Sequence, residues 1–234
     1  MKYKRILLKL SGEALAGGAG FGIDSTRVAE IAGEVAEIAR LGVQVGVVVG
    51  GGNFFRGIKA SGSGLRRISV DYMGMLATGI NAIALRDFIA AHEVKARVMS
   101  AIDMPPIAES FSPQDAVEQL GQGAVIIFSA GTGSPYFSTD TAAALRAVEI
   151  EAEVVAKATK VDGVYDKDPV RFPDARRYDK ISYAEVLSQG LAVMDATAVS
   201  LCKENKLPVV VFNLNVPGNI RRMVSGEEIG TVIY

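Results

Sequence analysis

Four stretches of this 234-residue chain are apolar at nearly every position: RILLKL (5–10), VQVGVVV (43–49), AVIIFSAG (124–131) and PVVVFN (208–213). A strand with one wet face alternates apolar and polar residues; a continuous run needs cover on both faces, as in a buried parallel sheet. KARVMS (95–100) and AEVVAKAT (152–159) read as two further strands. Between the runs the apolar period changes to that of a helix. From Ser25 to Leu41 it falls on Val28, Ile31, Ala32, Val35, Ile38 and Ala39, with Asp24 or Ser25 as cap and Gly42 as stop. Helices are also expected over Tyr72 to Ala91, Pro113 to Leu120, Thr139 to Ile150 and Ala196 to Asn205. Such alternation predicts an α/β fold, a mainly parallel sheet with helices on both faces. No linker or internal repeat interrupts it, so residues 1–234 are expected to form a single domain. The stretch 162–180, rich in Asp, Arg, Lys and Pro, reads as a surface loop or small hairpin.

Composition removes several classes of function. With 25 basic and 26 acidic residues the net charge is −1, which is no footprint for nucleic acid or an anionic membrane. The single cysteine, Cys202, excludes an internal disulfide and a cysteine zinc cage, and the single histidine, His92, argues against a His-rich metal site. A reducing, cytoplasmic setting is the simplest reading. Lys2, Lys4 and Arg5 before ILL imitate a signal peptide, but Lys9 and Glu13 interrupt the apolar run too soon. No apolar run approaches transmembrane length.

Ligands in open α/β sheets bind beyond the carboxyl ends of the strands. Three such ends are unusual here: KLSGE (9–13), GGGNFFRG (50–57) and SAGTGSPYFSTD (129–140). The second is no Walker loop, because Ile58 stands where lysine is required, and no dinucleotide fingerprint, because Phe55 stands where the third glycine belongs. Glycines nevertheless let main-chain N–H groups close on an anion. A helix opening near Thr139 adds its positive end, and Lys9 and Arg56 add fixed charge. Together these suit a polyphosphate. Each residue also has a plainer reading. Lys9 can be solvated, Arg56 can pair with a surface carboxylate, and Asp71 and Asp140 can be helix caps. The expected roles of His92, Cys202, the methionines Met73, Met75, Met99 and Met104, and the pair Arg66–Arg67 are surface, packing, core filling and solvated charge respectively.

The scarcity of histidine bears on mechanism. A hydroxyl acceptor in phosphoryl transfer benefits from a base. A phosphate acceptor, with its second pKa near 6, is already ionised. It needs cations instead, since like unit charges about 4 Å apart cost on the order of 4 kcal/mol at an effective dielectric of 20. Asp71 or Asp140 remains available as a base.

KLSGEAL (9–15), GGGNFFRG (50–57), DYMGMLAT (71–78), SAGTGSPYFSTD (129–140), KATKVDGVYDKDP (157–169) and MDATA (194–198) together resemble the bacterial UMP kinases, a branch of the amino-acid-kinase family. The resemblance runs through the whole chain in order. It implies a three-layer αβα sandwich, transfer from MgATP to UMP in pyrimidine nucleotide biosynthesis, and Mg2+ held mainly by ATP phosphates. It places Lys9, Leu10, Ser11 and Gly12 at the ATP phosphates, Gly52 and Arg56 between the substrates, and Gly51 at the UMP phosphate. Asp71 is implied at the ribose, and Thr132, Gly133, Ser134, Pro135, Tyr136, Phe137, Ser138 and Thr139 around UMP. Thr159, Lys160, Tyr165 and Asp168 are implied on the adenosine side, with the acceptor on the N-terminal part of the chain and ATP on the C-terminal part. Lys9, Arg56, Asp140 and Lys160 would be catalytic, Asp140 by orienting lysines. Ser134 stands where the family often has Asn, so direct uracil readout does not carry over to it, and Thr132 or a water is the candidate replacement. A homohexamer, GTP activation and UTP inhibition are also implied, with Gly17, Gly18, Ala19, Gly20, Phe21, Gly22, Arg86 and Arg97 as effector candidates; both arginines can equally be surface or interface ion pairs. The competing functions are a non-catalytic nucleotide-binding store or regulator, and a kinase for a small carboxylate or carbamate.

Overall fold

The computed structural model describes residues 1–55 and 64–234. In chain order the elements are β1 (Arg5–Leu10), α1 (Gly12–Leu15), α2 (Ser25–Arg40), β2 (Gln44–Val49), α3 (Arg67–Ala90), β3 (Ala96–Ser100), β4 (Glu109–Ser110), α4 (Pro113–Gly121), β5 (Val125–Ser129) and α5 (Thr139–Glu149). Then follow β6 (Val154–Thr159), β7 (Val164–Tyr165), β8 (Arg177–Tyr178), β9 (Lys180–Ile181), α6 (Tyr183–Ser188), α7 (Ala196–Glu204), β10 (Val209–Asn213), α8 (Asn219–Ser225) and β11 (Thr231–Ile233).

Nine strands form one sheet in the order β4-β3-β5-β2-β1-β6-β10-β11-β9. From β4 to β10 every pairing is parallel; β11 runs against β10, and β9 runs with β11. The continuous apolar runs therefore do lie between two helical layers. Ile6, Leu8, Val45 and Val47 pack with α2, α3 and α8, while Leu7, Val48 and Phe128 pack with α4, α5, α6 and α7. The α/β sandwich expected from the alternation is the observed one.

Strand parity sets up the site. Along β1, Ile6, Leu8 and Leu10 face the α2 layer, so Leu7 and Lys9 face the α5 layer. Along β6, Val154, Ala156 and Ala158 face the α2 layer, which turns Val155 and Lys157 toward α5. The parallel register puts Lys9 opposite Lys157. Two lysines thus meet on one face beside the start of α5.

Several local expectations are corrected. Helix α3 starts at Arg67 rather than near Tyr72, so Asp71 is in its second turn and is not its cap. Asp140 does not cap α5 either; the hydroxyl of Ser138 does, accepting from the amides of Asp140 and Thr141. Those two amides are thereby taken, and the helix start offers an anion less than the sequence suggested. The 162–180 stretch contains the antiparallel β7–β8 pair, which fits the small hairpin, and runs at Lys180 into β9 at the sheet edge. Helix α3 is long and apolar enough to cross a membrane by length and composition, contrary to expectation. It is a layer helix here: Ala82, Leu85 and Ile89 pack into the core.

Candidate active site

The carboxyl ends of β1, β2 and β5 open into one cleft of about 590 Å³, lined by Lys9, Ser11, Gly52, Asp71, Thr132 and Ser138 among others. Ser11 ends β1 and caps α1, accepting from the Ala14 amide at 3.3 Å. The floor is close-packed main chain. A Cβ on Gly12 would sit 2.4 Å from Asn53 Oδ1 and 2.7 Å from the Gly50 carbonyl, and one on Gly51 would sit 2.6 Å from the Gly74 carbonyl of α3. Glycine at these positions is demanded by packing. At Gly52 a Cβ would meet open space, and this is where the triple glycine exposes backbone to the cleft.

Two buried amides hold that floor. Asn53 Nδ2 donates to the Gly22 carbonyl at 2.7 Å and to Asn81 Oδ1 at 2.9 Å; Asn81 Nδ2 donates to the Gly50 carbonyl at 2.7 Å and to Asn53 Oδ1 at 2.7 Å. The Gly22 amide returns a bond to the Asn53 carbonyl at 3.1 Å, and the Phe21 ring stands edge-on to Phe54. Neither asparagine was singled out in the sequence, although the N of GGGN was in view.

Behind the floor lies a charged triad. Asp140 Oδ1 is 2.8 Å from the Lys9 ammonium, and Asp140 Oδ2 is 2.8 Å from that of Lys157. Among the described residues Oδ1, which is fully buried, finds no well-aligned hydrogen bond, and the Lys9 ammonium compensates it. Burial works to raise the Asp140 carboxyl, but the two ammonium groups outweigh it and hold it below the usual carboxylate range. Burial lowers the Lys157 ammonium against the pull of Asp140, and the positive charge of Lys9 adds to the lowering. Lys157 also donates to the Val193 carbonyl. The segment after Val193 is tied in by Asp195, which accepts from Ser138 Oγ, from Thr141 Oγ1 at 2.8 Å and from the Ala198 amide at 2.9 Å. Asp140 was expected to orient the catalytic lysines Lys9 and Lys160; it pairs with Lys9 and with Lys157, while Lys160 pairs with Glu13.

Across the cleft, Asp71 accepts from Arg67 Nε at 2.8 Å and from the Tyr136 amide at 2.8 Å. Tyr136 is in the left-handed region (φ 73°), and the Arg67 guanidinium lies over its ring. Thr132 Oγ1 accepts from the Ser134 amide and donates to the Ser134 carbonyl, both at 3.2 Å, closing a tight turn through Gly133. A Cβ at Gly133, whose φ is 83°, would press on the Ala101 carbonyl at 2.8 Å. Pro135 follows the turn, and Phe137, Ser138 and Thr139 continue along the cleft wall. The turn hangs from α3, since Thr78 Oγ1 accepts from the Ala130 amide at 2.7 Å.

The remaining sequence candidates divide. Leu10 is buried in the core, so only its main chain can serve a ligand. Arg56 lies outside the described residues. Lys160 is exposed and meets Glu13, a residue of the cleft wall, at 3.2 Å. Thr159 Oγ1 donates to the Val161 carbonyl at 2.7 Å, Tyr165 donates to Asp162, and Asp168 accepts from the Val170 amide at 2.9 Å. These four are on the β6–β7 side. The effector candidates fall in two places. Arg86 and Arg97 line a separate groove of about 540 Å³ with Glu109, which pairs with Arg97 at 2.7 Å. Gly17 to Gly22, with Gly18, Ala19, Gly20 and Phe21 between, lead instead to Asn53 beneath the cleft.

Sheet and cleft together define an αβα protein with a cleft lined by Lys9 and glycine backbone at the carboxyl ends of parallel strands. The chain matches the model of the amino acid kinase family over residues 4–213 and belongs to that family. Among solved structures it is similar to the UMP kinase from Bacillus anthracis, with 39% identity and a TM-score of 0.96 over 100% of this chain and 96% of that one. The UMP kinase from Ureaplasma parvum is 36% identical, with a TM-score of 0.93 over 100% of this chain and 99% of that one. The uridylate kinase from Archaeoglobus fulgidus is 32% identical, with a TM-score of 0.75 over 98% of this chain and 99% of that one.

Proposed function

We propose that the chain is a nucleoside monophosphate kinase that transfers the γ-phosphoryl group of ATP to UMP, giving ADP and UDP. The observation that carries this reading is one cleft lined by Lys9, Gly50, Gly51, Gly52 and Asp71. The substrate comes from the neighbours, two named UMP kinases and one uridylate kinase. An oxygen of the UMP phosphate attacks the γ-phosphorus in line; the bond to the β–γ bridging oxygen breaks and its electron pair leaves with ADP. No proton has to be removed, because the acceptor is largely ionised above its second pKa of about 6. Lys9 offsets the repulsion between the two anions, and the Gly52 backbone approaches the transferring group. Asp71 accepts from a ribose hydroxyl once UMP enters, residues 132–139 wall the acceptor, and Thr159, Lys160, Tyr165 and Asp168 bound the ATP side.

Among the described residues no three His, Cys, Asp or Glu side chains stand ready for a metal ion. Asp140 is taken by two lysines, and Asp71 by Arg67 and Tyr136. The magnesium that accompanies ATP would keep phosphate oxygens and water as ligands, which suits its preference for retained waters. It would supply charge neutralisation of the phosphates.

The exposed face of α3 carries Ile68, Tyr72, Met73, Leu76 and Ile80, an apolar stripe that supports self-association; six copies is the number the family resemblance implies. Control by GTP and UTP and a cytoplasmic location belong to the same reading. The test is ADP release with UMP, CMP and small carboxylates offered in turn. Turnover with UMP well above the others is expected; turnover with a carboxylate and none with UMP overturns the assignment, and ATP binding without any turnover favours a non-catalytic role.

A further inference from the structure

Lys9 and Lys157 are paired across neighbouring strands and are equally buried, each 8% exposed, yet they face different surroundings. Lys9 reaches the cleft wall; Lys157 does not. The Lys157 ammonium is closed in by Asp140 Oδ2 at 2.8 Å and by the Val193 carbonyl. The charged groups that face it are Asp140, Lys9 and, further off, Asp195. Both contacts hold it away from the cleft lining, and its link to that lining runs through Asp140 and Lys9.

The effect of that link follows from the charges. If Asp140 faced Lys9 alone, carboxylate and ammonium would neutralise one another and Lys9 would be drawn toward α5. With Lys157 present, two ammonium groups share one carboxylate, and the group as a whole is left positive. Oδ2 is occupied by a cation that cannot leave, so only Oδ1 is left to steer Lys9. We propose that Lys157 is a positioning residue for the phosphoryl transfer: it occupies and offsets Asp140 so that the Lys9 ammonium stays fixed at the cleft wall with its charge uncompensated toward the nucleotide phosphates. The inference rests on the kinase reading above and deepens it.

The test is steady-state kinetics with UMP and MgATP on the unaltered enzyme, Lys157→Gln, Asp140→Asn and the double variant. Glutamine removes the charge and keeps an N–H donor for Asp140 or Val193, one bond shorter than the lysine and beside a carbonyl oxygen. UMP turnover by the unaltered enzyme is measured first; its absence removes the kinase reading. Given that turnover, Lys157→Gln is expected to keep its circular dichroism and to lose about 100-fold in kcat, with KM for both substrates within about twofold, the signature of misplacement at the reacting group. In the double variant the two losses should not multiply, because both act on one ammonium. Unchanged kcat in a folded Lys157→Gln, a rise in KM alone, or multiplying losses each overturn the proposal. If Lys157→Gln does not fold, the unaltered enzyme decides: kcat should fall on the alkaline side below the ordinary lysine range while KM stays flat, and a kcat that holds through that range overturns the proposal.

Discussion

Lys157 lies inside β6 and Lys160 just past its end, three residues on, and they live in different electrostatic worlds. Lys157 shares Asp140 with Lys9, and the three side chains are 10%, 17% and 11% exposed for Lys9, Asp140 and Lys157 respectively. Lys160 meets Glu13 with 66% of its own side chain in solvent. In the first group one carboxylate holds both ammonium groups, so removing Asp140 strands two like charges in low dielectric, whereas removing Lys9 leaves the Asp140–Lys157 pair in place. In the second, water replaces any partner that is lost. A motif that places two lysines near a phosphate site therefore does not say which one the fold depends on; the burial of the strand decides.

The sharpest break in this contrast is Asp140→Asn. It leaves two ammonium groups facing each other and should cost about 3–5 kcal/mol of stability, read from denaturant unfolding. The pH dependence has a definite sign. The folded Asp140 pKa lies below its unfolded value of about 3.8, so the stabilisation is present above that value and is lost as pH falls through the folded pKa. Asp140→Asn should lack that acid-side loss when stability is followed against pH. Next in size is Lys9→Ala, which leaves Asp140 paired with Lys157 and so keeps the fold. Turnover should fall about 100- to 1000-fold, as for loss of one charge-stabilising donor; wild-type turnover would remove Lys9 from the chemistry. Asp71→Asn should raise the KM for UMP about tenfold, in line with loss of a hydrogen bond to a charged group, and leave the KM for ATP alone. Smallest is Lys160→Ala, whose half-exposed ion pair with Glu13 should contribute less than about 1 kcal/mol to stability. A large stability loss there would erase the distinction between the two lysines.

Much of the architecture was legible because it is written in long runs. Six strands read from continuous apolar residues are all in the sheet, and the parallel order follows from the helices between them. The short pieces, β4, β9 and β11, carry two or three residues each, too few for any period. At the site, Lys9, Gly52 and the 132–139 turn stood out as charge or glycine at strand ends, while the ribose role of Asp71, in α3, came only from the family resemblance. Lys157 did not, since it falls inside a strand that reads as apolar, and its partner in space is 148 residues away across the sheet. A lysine between Ala156 and Ala158 was the available signal: a charge cannot stay in such a strand without a counter-charge nearby. Asn53 and Asn81 escaped for a similar reason, because only tertiary packing turns two ordinary amides toward each other.

The asparagine pair also ties together parts of the chain that look independent. Through it the Gly17–Gly22 stretch, the triple-glycine turn and α3 are stitched at a single buried knot. The early loop and the cleft floor therefore share their hydrogen bonds: losing the Asn53 amide would leave the Gly22 carbonyl without a partner side chain, and losing the Asn81 amide would do the same to the Gly50 carbonyl.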